Sequence, residues 1–142
     1  MKQLLQQTKS DIETRELGKS FAKKVESGAV LALHGDLGSG KTTFAQGIAD
    51  GLGVIKHVTS PTFLVQKSYE ISDAKTLYHL DLYRLQNEKE AEGIGIADLF
   101  AQKNNIVVIE WPEKITPLLP TDTIHLYFEY IDEATREINI EM

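Results

Sequence analysis

Apolar residues recur along the chain with two periods, and the switches between them mark its elements. Leu17, Phe21 and Val25 stand four apart behind Ser10-Asp11-Ile12-Glu13, where a serine is followed three residues on by a glutamate. That pattern predicts a capped helix over about 11 to 26, ending before Gly28. Ala29-Val30-Leu31-Ala32-Leu33 is an unbroken apolar run of strand length, and Phe44, Ile48 and Leu52 then return every four residues until Gly53. These give a strand at about 29 to 34 and a helix at about 41 to 52, and residues 2 to 7 fit an edge strand.

The polar segment from His57 to Phe63 contains Pro61, which disfavours helix at Ser60, and it leads into a strand from Phe63 to Tyr69. Ser72-Asp73-Ala74 reads as a turn before a second strand from Thr76 to Leu80, so the two form an antiparallel hairpin. Residues 88 to 103 are helical in two pieces broken near Gly93 and Gly95. Ile106 to Ile109 is a buried strand ending in Glu110-Trp111-Pro112, and Pro112 is expected to keep this segment from becoming helix. A second hairpin closes the chain, Thr123 to Tyr130 and then Arg136 to Glu141, with Ile138 and Ile140 on one face.

Between the first apolar strand and the helix behind it lies Gly35-Asp36-Leu37-Gly38-Ser39-Gly40-Lys41-Thr42, which fits G-x-x-x-x-G-K-[ST] at every fixed position. Such a loop curls so that successive backbone N–H groups face phosphate oxygens, and the helix start adds its positive dipole end. A bare glycine-rich turn is the alternative, but chance alone gives this match in roughly one chain in two hundred of this length at ordinary glycine usage. Lys41 then reaches the phosphates and Thr42 a magnesium ion. The elements around the loop point to an α/β, three-layer P-loop NTPase-like fold, a mixed sheet with parallel core strands, antiparallel hairpins and helices on both faces.

Composition narrows the class. At 142 residues, 42% hydrophobic and 25% charged, the chain is expected to be a single P-loop domain spanning 1 to 142. Its longest apolar stretches are five or six residues, too short for a bilayer, so no membrane partner and a cytoplasmic location are expected. Zero cysteines exclude disulfides and thiolate zinc sites. The net charge of −6 comes with no basic stripe, since Lys23-Lys24 shares its helix with Glu13, Glu16 and Glu26. In a nucleic-acid pathway, another component would hold the nucleic acid.

A magnesium nucleotide site also needs carboxylates at strand ends. Asp81 follows the strand Thr76 to Leu80 and Glu110 follows Ile106 to Ile109; either orients the attacking water, and the sequence does not choose between them. Thr62 suits a switch-like hydroxyl behind the loop helix, or a plain turn residue. Arg84 reaches phosphate, Glu110 or a partner, or makes a surface ion pair. His79 points away from Leu80 and could orient a carboxylate, but a strand histidine is more often packed, so it stays outside the catalytic set. Trp111 is a core anchor or an exposed contact.

Four pieces in this order, the loop Gly35 to Thr43, Ser60-Pro61-Thr62-Phe63, His79-Leu80-Asp81-Leu82-Tyr83-Arg84 and Ile109-Glu110-Trp111-Pro112-Glu113, resemble the bacterial TsaE family, also called YjeE or YdiB. Ser39 stands where the family commonly has alanine. The resemblance implies the ATPase subunit of the machinery that places a threonylcarbamoyl group on a tRNA adenosine, acting with TsaD and TsaB and touching tRNA only through that complex. It implies that Gly38, Ser39, Gly40, Lys41, Thr42 and Thr43 bind the phosphates of ATP or ADP. Thr42 with Glu110 would hold Mg2+, and Asp81 and Thr62 would take the Walker B and switch roles. Thr8 and Arg136, near the two termini, are the candidates for contacts to the base and sugar.

The leading hypothesis is therefore an ATP-hydrolysing subunit in which Lys41, Asp81, Glu110 and Thr62 act, with slow intrinsic turnover because no cis arginine finger stands out apart from Arg84. A small kinase passing the γ-phosphate to a metabolite is the runner-up, weakened by a chain with only Arg15, Arg84 and Arg136. A nucleotide-gated binding module without hydrolysis is the third. No Asn-Lys-x-Asp run reads guanine, so ATP over GTP rests on the resemblance.

Overall fold

The computed structural model describes residues 3–56, 58, 65–72 and 75–142. Its elements run β1 (Gln3–Thr8), α1 (Asp11–Ala22), β2 (Val30–His34), α2 (Lys41–Leu52), β3 (Gln66–Ser72), β4 (Lys75–Asp81), α3 (Glu88–Gly93), α4 (Ile96–Ala101), β5 (Asn105–Glu110), a 3₁₀ helix (Pro112–Leu118), β6 (Ile124–Tyr130) and β7 (Arg136–Glu141). The strands form one sheet in the order β1-β7-β6-β2-β5-β4-β3. β4, β5, β2 and β6 pair in parallel, while β1 with β7, β7 with β6 and β3 with β4 pair antiparallel.

Strand alternation splits the core into two layers. Leu31 and Leu33 of β2, Ile106 and Val108 of β5 and Leu77 of β4 face Phe21, Phe44 and Ile48 of α1 and α2. Val30, Val107, Ile109 and Leu80 face Ala91, Ile96 and Leu99 of α3 and α4 and Ile115 of the 3₁₀ helix. Helices therefore cover both faces, as in a three-layer α/β fold. β2 from Val30 to Leu33 and β5 from Ile106 to Ile109 are unbroken apolar runs because both of their faces are buried.

Three boundaries differ from the sequence pattern. α1 stops at Ala22 rather than 26, because the N–H groups beyond it bond three residues back, Lys24 to Phe21 and Val25 to Ala22. This tighter turning still packs Val25 against the core while the chain swings toward β2. β3 runs from Gln66 to Ser72 rather than Phe63 to Tyr69, its ends set by pairing with β4 from Gln66↔Leu80 to Ser72↔Lys75; Phe63 and Leu64 lie outside the described residues. Pro112 does not prevent helix: it opens the 3₁₀ helix, where its missing N–H has no partner to lose.

The start of α1 has the predicted cap. Ser10 Oγ accepts from the Glu13 N–H at 3.0 Å, while the Glu13 carboxylate reaches back to the Lys9 N–H at 2.9 Å, one residue before the usual target. α1 then lies hard against α2. A Cβ on Gly47 would collide with the Arg15 carbonyl oxygen, and one on Gly18 with that of Phe44. Beside this contact Arg15 pairs with Asp50 at 2.6 Å, and that hydrogen bond holds the Asp50 carboxyl below its ordinary value.

Two measurements test this packing. Gly47→Ala should destabilise by about 2 kcal/mol in chemical denaturation, because forced separation of two helices outweighs the roughly 1 kcal/mol that alanine gains in helix propensity. Asp50→Asn should cost less than about 1 kcal/mol at neutral pH, since the pair is solvent-screened. Because the folded Asp50 value is depressed, its contribution is present above the unfolded carboxylate value of about 3.9 and fades as pH falls through the folded one. The difference between wild type and Asp50→Asn should accordingly shrink in acid unfolding curves.

Candidate nucleotide-binding site

The parallel strands deliver their carboxyl ends to one edge of the sheet. His34 ends β2 there and passes into the glycine-rich loop, which opens α2. Gly40 is the N-cap of α2 in a left-handed conformation, φ 102°, where a side chain would be strained. Gly38 has φ 77° and its missing Cβ would point into open space, so the loop presents a backbone cradle. Thr42 and Thr43 come next in the first turn, half-buried.

Lys41 is buried. Its Nζ donates to the Gly35 carbonyl and lies 3.7 Å from the centre of the Trp111 ring. Burial pushes the Lys41 ammonium below its ordinary value, opposed by Glu110, Glu113, Asp81 and Asp36. Trp111 itself has φ 62°, a left-handed conformation rarely held by a large residue, and packs against Tyr83 with ring centres 5.1 Å apart. It is therefore part of the site's wall rather than a plain core anchor.

Asp81 and Glu110 are register partners across the parallel β4–β5 pair, so their carboxylates leave the same face side by side. Both are buried. The Thr42 hydroxyl lies 3.2 Å from each Glu110 oxygen. Asp81 accepts from the Tyr83 N–H at 3.0 Å. Thr42, Lys41, Asp81 and Glu110 thus converge, as expected of acids at neighbouring strand ends, and Arg84 sits exposed on the turn after β4. Thr62 lies outside the described residues.

The two termini come to the loop from the other side. Thr8 and Arg136 are register partners at the ends of β1 and β7. Arg136 Nε donates to the Gly38 carbonyl at 3.0 Å, and its guanidinium lies 4.4 Å from the Tyr130 ring centre. The Thr8 hydroxyl is buried and bonded at 2.6 Å to that of Thr14. Thr14, which the sequence pattern does not single out, in turn donates to the Ser10 carbonyl and stands under Gly40.

His79 joins the site as well. Its Nε2 lies 2.6 Å from Glu110 Oε2. Alternation along β4 places His79 on the same face as Asp81, but its pairing depends on a β4–β5 register that the sequence does not state.

These residues fit a phosphate chain and a hydrated magnesium ion. Ser39 Oγ, inside the loop beside Gly35, is buried and has no hydrogen-bond partner among the described residues, and Gly38 leaves the cradle open to a phosphate. No three His, Asp or Glu side chains converge as a metal cluster among the described residues. Magnesium needs none, since it is commonly held by one or two protein oxygens, with waters and phosphates completing its shell.

A mixed sheet with a parallel core, whose first core strand turns through a glycine-rich loop into a helix and whose neighbouring strands end in acids, defines a P-loop NTPase-like protein. The family model described as threonylcarbamoyl adenosine biosynthesis protein TsaE matches residues 8–138. The chain belongs to the TsaE family. The relative named tRNA threonylcarbamoyladenosine biosynthesis protein TsaE from Bacillus subtilis strain 168 is 38% identical over 97% of this chain and 85% of its own length. The relative of the same name from Haemophilus influenzae is 37% identical over 100% of this chain and 90% of its own. The crystal structure of Bacillus subtilis YdiB superposes with a TM-score of 0.78 at 33% identity, covering 98% of this chain and 84% of that one.

The threonine pair supplies a test of how the N-terminus braces the loop. Thr14→Val leaves the buried Thr8 hydroxyl without its partner and should cost about 1–2 kcal/mol in denaturant unfolding.

Proposed function

We propose that this protein binds ATP with magnesium, hydrolyses it slowly, and serves threonylcarbamoyl modification of tRNA adenosine by acting on a TsaD- and TsaB-type partner complex. The observation that carries this reading is the meeting of Lys41, Thr42 and the paired carboxylates Asp81 and Glu110 at the mouth of the loop. Membership of the TsaE family supplies the pathway. The chain acts as a single domain in the cytoplasm. Among the described residues no helix is long and apolar enough to cross a membrane.

Each residue has a task. The loop from Gly38 to Thr43 holds the phosphates by backbone N–H groups, and Thr42 with Glu110 holds magnesium. Lys41 leaves the Gly35 carbonyl for phosphate and stabilises charge that grows in the transition state. Asp81, beside Glu110, orients the attacking water. Arg136 and Thr8 brace the loop where the nucleoside lies, and Thr62 serves as the triphosphate-sensing hydroxyl. Bound magnesium supplies a Lewis acid that draws charge from the γ-phosphoryl group.

The acidic balance of the chain agrees with a subunit that leaves tRNA to its partners. Reconstituted tRNA modification should require this chain. Lys41→Ala and Glu110→Ala should each lower both ATP turnover and repeated modification by about 100-fold or more, the scale for losing one charge-stabilising group. Full modification by Glu110→Ala, or repeated rounds with an uncleavable ATP analogue, would overturn hydrolysis as the driving step.

A further inference from the structure

Glu110 is gripped from two sides. On the loop side stands the Thr42 hydroxyl; on the strand side stands the His79 imidazole, whose Nε2 lies 2.6 Å from Glu110 Oε2. The side chains of His79 and Glu110 are only 1% and 4% exposed. Register produces this geometry. β4 and β5 pair in parallel with Asp81 opposite Glu110 and His79 opposite Val108, so His79, two residues before Asp81, sits diagonally beneath the Glu110 carboxylate on the α2 face.

The other ring nitrogen identifies the tautomer. Among the described residues, the buried His79 Nδ1 has no hydrogen-bond partner. A proton there would be stranded, and a lone pair at Nε2 would face a carboxylate oxygen. The proton therefore belongs on Nε2, which donates to Glu110.

We propose that His79 is a positioning residue for the metal-holding carboxylate: its Nε2–H anchors Glu110 Oε2 so that the carboxylate is already turned toward Thr42 and the cation. A carboxylate on a freely rotating glutamate side chain would lose rotamer freedom on binding metal. One held by a buried donor has already lost it. This inference rests on the magnesium nucleotide reading and adds to it a residue that neither binds nucleotide nor touches the reacting atoms.

Trp111, the only tryptophan, comes directly after Glu110 and reports on the site by fluorescence. The measurement is binding of an uncleavable ATP analogue at increasing magnesium, and again in EDTA, for wild type, His79→Leu, His79→Gln and His79→Asn. His79→Leu should raise the magnesium concentration for half-maximal response by about 10-fold or more, with metal-free nucleotide affinity unchanged. His79→Gln, whose amide nitrogen falls near Nε2, should restore most of the wild-type response. His79→Asn, whose nitrogen falls near the unpartnered Nδ1, should not, and the Gln and Asn pair carries the test if the leucine variant does not fold. An unchanged magnesium midpoint in His79→Leu or His79→Asn, or an equal loss of metal-free binding, would overturn the positioning role and leave a merely structural histidine. Absence of magnesium dependence in the wild type would overturn the nucleotide reading itself, and this inference with it.

Discussion

Glu110 ends β5 opposite Leu33 of β2 and Asp81 of β4, and the candidate site depends on this parallel register. A slip of one residue in either pairing would turn Glu110 or Asp81 to the far face, away from the phosphate loop. Leu31, Leu33, Ile106, Val108 and Leu77 bury the α2 side of the three strands, so the apolar core enforces the register that the polar groups need. The chemistry at the strand ends is thus positioned by hydrophobic residues that take no part in it.

Burial gives the site its electrostatic character. Lys41, His79, Asp81 and Glu110 are all buried, and groups of this kind persist away from water only when each has a partner. Lys41 finds the Gly35 carbonyl and the Trp111 ring, and Glu110 finds Thr42 and His79. Trp111 reaches Lys41 from a left-handed backbone, a conformation costing on the order of 1–3 kcal/mol. Strain placed beside the loop lysine, rather than relieved by a glycine, agrees with a site whose wall is shaped for a ligand.

Local patterns are readable in the sequence and distant pairings are not. The loop helix, 41 to 52, is bounded by Gly40 and Gly53, and the break between α3 and α4 by Gly93 and Gly95, because a glycine acts on the backbone where it stands. Strand alternation also places Ile138 and Ile140 on the core face. By contrast, the bond from His79 to Glu110 joins residues 31 apart through a strand register. The brace from Arg136 to Gly38 spans 98 positions. Neither leaves a local trace. Pro112 misleads for another reason, since proline opposes a helix interior but is welcome at a helix start.

The termini add a constraint of their own. β1 and β7 lie at the far edge of the sheet from β4, yet Thr8, Thr14 and Arg136 meet around Gly38 and Gly40. α1 transmits this contact, because Thr14 sits under the loop and, one turn on, Gly18 lets α1 press against the backbone of α2. The helix that opens at the phosphate loop is therefore held along its length by α1 and at its mouth by residues from both ends of the chain. A loop fixed in this way meets a phosphate without first having to be ordered, which lowers the entropic cost of binding.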